Sequence, residues 1–157
     1  MNLLEAGALF ANMAHAYDKN VQGALDEAGK IIQVEAKRVI GTYEYNWPPL
    51  KPETVARKAN GDTPLLETGE MRESIERTVQ DKSAFVGSNN DKAVWQELGT
   101  SRGIPPRSFL MGAAQHKGAE AAHAIASAIF TGLTTGASIG YSHYTGAVPS
   151  LPALNKP

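Results

Sequence analysis

Proline and glycine punctuate the stretch from Tyr45 to Leu110 so closely that no long helix or strand can cross it. Pro48, Pro49 and Pro52 follow Trp47; each lacks a backbone donor and disfavours helix in the residue before it. Asn60-Gly61-Asp62-Thr63-Pro64 has turn composition, and Gly69, Gly87, Gly99 and Pro105-Pro106 divide the rest. Short elements are therefore expected inside this block, and long ones only outside it.

The block can be read piece by piece. Pro52 suits the first turn of a short helix through Lys58. Thr68 is expected to cap a second short helix carrying Met71 and Ile75 on one side. Ser74 to Gln80 alternates Ile75, Arg77 and Val79 with polar residues, Asp81-Lys82-Ser83 is a turn, and Ala84 to Gly87 is a second run: an antiparallel hairpin. Asp91 opens a helix with Ala93, Val94, Trp95 and Leu98, closed by Gly99. Thr100 to Pro106 is a loop.

Both flanks have helical period. From Asn2 to Ile40, Leu3, Phe10, Met13, Tyr17, Val21, Leu25, Ala28, Ile32 and Val39 recur in steps of three, four and seven, with Glu35 as the one miss. A break near Asp18-Lys19-Asn20 is an option, and an unbroken helix would be about 55 Å long. A stripe of that length exceeds what a small domain can cover, so part of it is expected to face another subunit. Gly41 suits the C-terminal end. Arg107 to about Thr131 reads as a second long helix, its Phe109 and Leu110 seated on the sheet and its alanines suited to close helix contact. The expected fold class is α+β: long N-terminal helix, small antiparallel β-sheet with a hairpin, second long helix, extended C-terminal arm. Residues 1–131 form one domain. Residues 132–157, rich in Gly, Ser, Thr, Tyr and Pro, form an arm that orders on a neighbour, or a loose tail.

Composition narrows the function. The 157 residues suit a single domain with its own core. There are 0 cysteines, which removes disulfides, thiolate nucleophiles and cysteine-type zinc sites and makes cytosolic synthesis the default. With 15 basic and 16 acidic residues the net charge is -1, against a protein whose main task is gripping nucleic-acid phosphates. Neither a membrane span nor a signal peptide is visible; Glu5 and Asn12 interrupt the N-terminal apolar residues.

No residue pattern carries chemistry. His116 and His123 are two helical turns apart, too far to share a metal, and His15 and His143 are isolated. Asp62, Glu67, Glu70 and Glu73 cluster in sequence, but Arg72 and Arg77 intersperse them and a helix N-terminus favours acids anyway. Ser74, Ser88 and Ser108 lack a nucleophile-elbow context. Gly136 to Gly140 lacks the lysine of a phosphate loop, and Asn89-Asn90-Asp91 lacks calcium-loop spacing. No catalytic, metal or cofactor-binding residue is assigned. Trp47 and Trp95 read as packing anchors. Trp95 and Leu98 share a helix face, and Glu97 has Arg102, Arg107 or a neighbouring backbone as partners.

In series, Trp47-Pro48-Pro49-Leu50, Pro64-Leu65-Leu66-Glu67-Thr68-Gly69-Glu70-Met71-Arg72-Glu73-Ser74-Ile75, Glu97-Leu98-Gly99-Thr100 and Pro105-Pro106-Arg107-Ser108-Phe109-Leu110 resemble the neck and tail-completion proteins of long-tailed bacteriophages and prophages. A sister family of phage virion-morphogenesis proteins shares the first two signatures. The resemblance covers about Leu25 to Ala128; the tail after Thr131 has no counterpart in it. It implies a structural virion protein without catalysis, forming a hexameric or dodecameric ring between the head connector or stopper protein and the tail tube or tail terminator protein. DNA passes through its lumen without specific binding. The residues it marks for structure and assembly are Trp47, Leu50, Leu66, Thr68, Gly69, Met71, Ile75, Trp95, Glu97, Gly99, Arg107 and Phe109. Two other classes stay open from the residues alone: a small hydrolase using Glu67, Glu70 and Glu73, and a DNA-binding accessory factor.

Overall fold

A computed structural model describes residues 3–135. In chain order these form α1 (Leu3–Val39), α2 (Pro52–Arg57), α3 (Glu70–Glu73), β1 (Ile75–Gln80), β2 (Ser83–Ser88), α4 (Asp91–Leu98) and α5 (Leu110–Thr135). The class is α+β, with one two-stranded antiparallel sheet among the described residues. Of the arm expected at 132–157, residues 132–135 belong to α5, and residues 136–157, with His143, lie outside the described residues. No described helix is long and apolar enough to cross a membrane.

The helical period of the first forty residues yields one uninterrupted helix, about 55 Å long. The break considered near Asp18-Lys19-Asn20 does not occur. Asn20 is buried against α5, and Lys82 of the hairpin turn pairs with Asp18 at 3.2 Å. Of the expected stripe, Val21, Ala28 and Val39 are buried, and Ala24 and Ala36 on the same side are fully so. Leu25 and Ile32 are half-buried at its edge.

Helix α5 packs antiparallel on α1: Gly132 meets Asn20 at one end, and Phe109 and Ala113 meet Ala36 and Val39 at the other. Ala113, Ala121 and Ala128 face Ala24, Ala28 and Ala36 across a seam of small side chains that lets the backbones approach. A Cβ on Gly132 would lie 2.6 Å from Asn20 Nδ2. The glycine at 132 is therefore a packing requirement, and the helix runs four residues past the boundary expected at 131. It also begins at Leu110 instead of Arg107, because Arg107 N–H donates to Gln96 O at 2.7 Å and Ser108 Oγ to Glu97 O at 3.0 Å, which ties both residues to α4.

The hairpin turn has two residues, Asp81 and Lys82, at φ 50° and 59°. Two successive left-handed residues make a type I′ turn, whose twist matches the strands; Ser83, expected in the turn, opens β2 opposite Gln80. Ile75, Arg77 and Val79 lie over α1, with Gln33 Nε2 donating to Ile75 O at 2.7 Å and Arg77 bound to Asp26 at 2.9 Å. Glu76, Thr78, Gln80 and Phe85 are exposed on the other face.

Two local expectations change. The N-cap of α3 is Gly69, at φ 89°, and Thr68 sits one residue earlier, its Oγ1 accepting from Glu70 N–H at 3.4 Å. Ile75 starts β1 and does not share the helix with Met71. The core joins Ala36, Val39, Ile40, Trp47, Met71, Ile75, Ala93, Phe109 and Ala113, with Leu65, Leu66 and Leu110 packed against it. Phe109 and Ile75 are fully buried, each contributing about 2–3 kcal/mol.

Candidate functional site

The sequence motifs converge on one corner, where α4 hands over to α5. A helix begins with unsatisfied backbone donors, and here one side chain answers three of them. Glu97 Oε2 accepts from Phe109 N–H at 2.8 Å and Leu110 N–H at 2.9 Å, and Oε1 from Met111 N–H at 2.9 Å. Its partners are thus backbone donors of its own chain; neither Arg102 nor Arg107 bonds it. A carboxylate at a helix N-terminus is also favoured by the helix dipole. Gly99 makes the turn possible: its φ is 74°, and a Cβ there would meet Ile104 O at 2.9 Å and Pro106 N at 3.0 Å.

Arg107 locks the corner from behind. It is buried, and its Nη2 donates to Pro48 O at 3.0 Å, binding the Trp47-Pro48-Pro49-Leu50 segment to the start of α5. Burial holds its pKa below the ordinary arginine value, with Tyr43 opposing. Its Nε and Gln96 Oε1 are buried without a hydrogen-bond partner. Leu50 N–H donates to Tyr43 Oη at 3.2 Å, and Tyr43 bonds Asp62. The Pro64-Leu65-Leu66 segment is held in the same way: Gly41 N–H donates to Pro64 O at 2.8 Å, Lys58 Nζ donates to Leu66 O, and Asn60 Nδ2 to Glu67 O at 2.6 Å. Leu65 takes the left-handed conformation at φ 65°, uncommon for a side chain of its size.

Among the residues marked in sequence, Trp47, Met71, Ile75 and Phe109 meet in the core with Leu66 against it. Glu97, Gly99 and Arg107 build the corner, while Thr68 and Gly69 start α3. Trp95 departs from its expected place. It is 51% exposed and does not anchor the core; Ala93 is the buried residue of α4. With Val94 at 56% and Leu98 at 74%, Trp95 gives α4 an apolar outer face. Exposed apolar faces centred on tryptophan are typical of protein contacts.

Glu35, the miss in the helical stripe, has a role the sequence reading did not assign. It is 5% exposed, and Arg38 Nε and Nη2 donate to its two oxygens at 2.8 Å while Tyr45 Oη donates at 2.9 Å. These bonds, led by Arg38 and opposed by burial, hold its carboxyl down at about 2. Burial and the Glu35 bond push the Tyr45 hydroxyl up. Arg38 also bonds both Glu44 oxygens at 2.7 Å. The Tyr45 ring stacks on His116 at 4.3 Å and meets Trp47 edge-on at 5.7 Å, and Gly112 makes room for it, since a Cβ there would lie 2.6 Å from the ring. The only sequence signal for this network was a polar residue on an apolar stripe.

The residues screened for chemistry are placed structurally. Glu67, Glu70 and Glu73 are exposed, and Arg72, with Lys37, keeps Glu73 below the usual carboxylate range. Ser74 Oγ and Ser88 Oγ bond each other at 2.7 Å. His123 Nδ1 is 3.3 Å from Ser127 Oγ, and His15 is exposed. Among the described residues no three His, Asp or Glu side chains are grouped to hold a metal ion. No protein-family model, no curated protein and no solved structure matches this chain.

Proposed function

We propose that the chain is a structural virion protein of the phage head–tail junction, a neck or tail-completion subunit that forms an axial ring between the head connector and the tail tube. The observation that carries this reading is the outer face of α4, where Val94, Trp95 and Leu98 stand exposed on a helix that Glu97 and Arg107 fix to the body. A rigid apolar face is what a ring subunit needs on each side. The motifs that carry the family resemblance support the same reading, because Trp47, Glu97, Gly99 and Arg107 all serve to hold α4 against α5. The net charge of -1 suits a channel wall along which DNA slides.

The test is native mass spectrometry of the purified chain, alone and with the connector and tail-tube proteins encoded beside it. A closed hexamer or dodecamer, or a complex with either neighbour, is the expected result. A chain that stays monomeric at high concentration and joins neither neighbour overturns the proposal. Steeply salt-dependent DNA binding would favour the accessory-factor reading instead.

A further inference from the structure

Two apolar surfaces stand uncovered among the described residues, and they differ in shape. One is convex: the outer face of α4, with Val94, Trp95 and Leu98 exposed. The other is a groove of about 370 Å³ between β2 and α5, floored by Ala28 and Gly29 of α1 and walled by Ala84, Val86, Met111 and Ala114. No charged side chain lines it. The face cannot enter the groove of its own chain. Ala93, on the opposite side of α4, is packed in the core, and Glu97 ties the helix to α5.

The polar groups of the two surfaces are complementary as well. In a hairpin with a two-residue turn, the closing pair Gln80–Ser83 is hydrogen-bonded and the pairs alternate from there. Val79–Ala84 and Arg77–Val86 are then non-bonded pairs, so the carbonyls of Ala84 and Val86 point outward along the groove. The phase agrees with Ile75, whose carbonyl turns away from β2 to accept from Gln33. No hydrogen bond among the described residues reaches the Ala84 and Val86 carbonyls. Trp95 carries the matching donor. Its indole N–H bonds no described residue of its own chain, and an indole N–H needs an acceptor once it is buried.

We propose that the groove of one copy receives α4 of the next, with Trp95 and Leu98 filling the trough and the indole N–H donating to an edge carbonyl of β2. The inference rests on the ring reading and names the contact between its subunits. The lengths agree: the eight residues of α4 span about 12 Å, and the α5 wall from Leu110 to Ala121 about 16 Å. An amphipathic helix laid in an apolar groove is a recurring mode of recognition, with anchors such as Val94 and Leu98 at i and i+4. Each copy has one face to give and one groove to receive, as a heterologous interface requires. The angle between the two is fixed, because Glu97 of the donor helix accepts from the N–H of Met111, a residue of the groove wall. A fixed angle sets the number of copies at which a ring closes.

Mixing experiments in native mass spectrometry test it. Ala114 is exposed, so Ala114→Glu and Ala114→Lys put a charge in the trough without entering the core. Both should lower the assembled fraction at least about ten-fold at an unchanged unfolding midpoint, as should Trp95→Ser with Leu98→Ser, while Ala114→Ser assembles normally. The groove variant and the α4 variant each keep one working surface, so at high concentration their mixture should give a 1:1 heterodimer that grows no further. A ring that tolerates either charge at Ala114, or a mixture without the heterodimer, overturns the proposal and leaves the ring reading standing. A wild-type chain that joins its neighbouring virion proteins but never itself likewise overturns the seat alone. A chain that joins neither itself nor those neighbours overturns the ring reading too.

Discussion

The two ends of the α1–α5 pair are held together by different means. Where α5 begins, large side chains interlock: Phe109, Ile75 and Val39 are fully buried beside Trp47, and Glu97 closes the helix N-terminus. Where α5 finishes, contact is made by Ala24, Ala128 and Gly132 around the buried Asn20, and Phe130 and Leu133 face outward. Since Gly132 lies opposite Asn20, the first turns of α1 run on beyond Thr135. Shape specificity is concentrated at one end. The other relies on close backbone approach and presents apolar surface to whatever lies beside it.

Substitutions can break or sharpen this contrast. Phe109→Ala should cost the most, about 3–5 kcal/mol in chemical denaturation, since it empties a fully enclosed site. Glu97→Ala should cost about 2–3 kcal/mol, because three backbone donors lose one charged acceptor; a loss near zero would show that the corner is held by packing alone. Acid should weaken the same end. The Glu35 carboxyl is held at about 2 against an ordinary 4.5, so its contribution is complete above pH 4.5 and is lost as pH falls toward 2. That contribution is about 2 kcal/mol after allowing for the half-exposed Arg38, and Glu35→Gln should flatten this part of a pH–stability curve. At the far end Gly132→Ala should cost only about 1 kcal/mol, as the Asn20 side chain is displaced; a loss matching Phe109→Ala would abolish the distinction between the ends. The smallest effect on folding, under about 0.5 kcal/mol, should come from Trp95→Ser with Leu98→Ser. The same pair should lower the yield of assembled ring in native mass spectrometry.

Locally encoded features were legible. The period of α1, the proline opening α2, the alternation in β1 and the glycine closing α4 each act within a few residues. What was illegible depends on distant partners. The start of α5 was displaced because its capping group is Glu97, twelve residues before Phe109. Gly132 looked like the edge of a tail because its reason, Asn20, lies on another helix. Glu35 looked like an error in the stripe because Tyr45, which helps to satisfy it, comes from the following loop. Trp95 read as core because an apolar helix face has the same pattern whether it meets the interior or solvent.

The triple bond of Glu97 also has a mechanical meaning. Load applied to the outer face of α4 cannot be taken up by swivelling at the α4–α5 joint without stretching three short hydrogen bonds together. It passes into the axis of α5, and through the alanine seam into α1, so a push at Trp95 is felt along the whole rod.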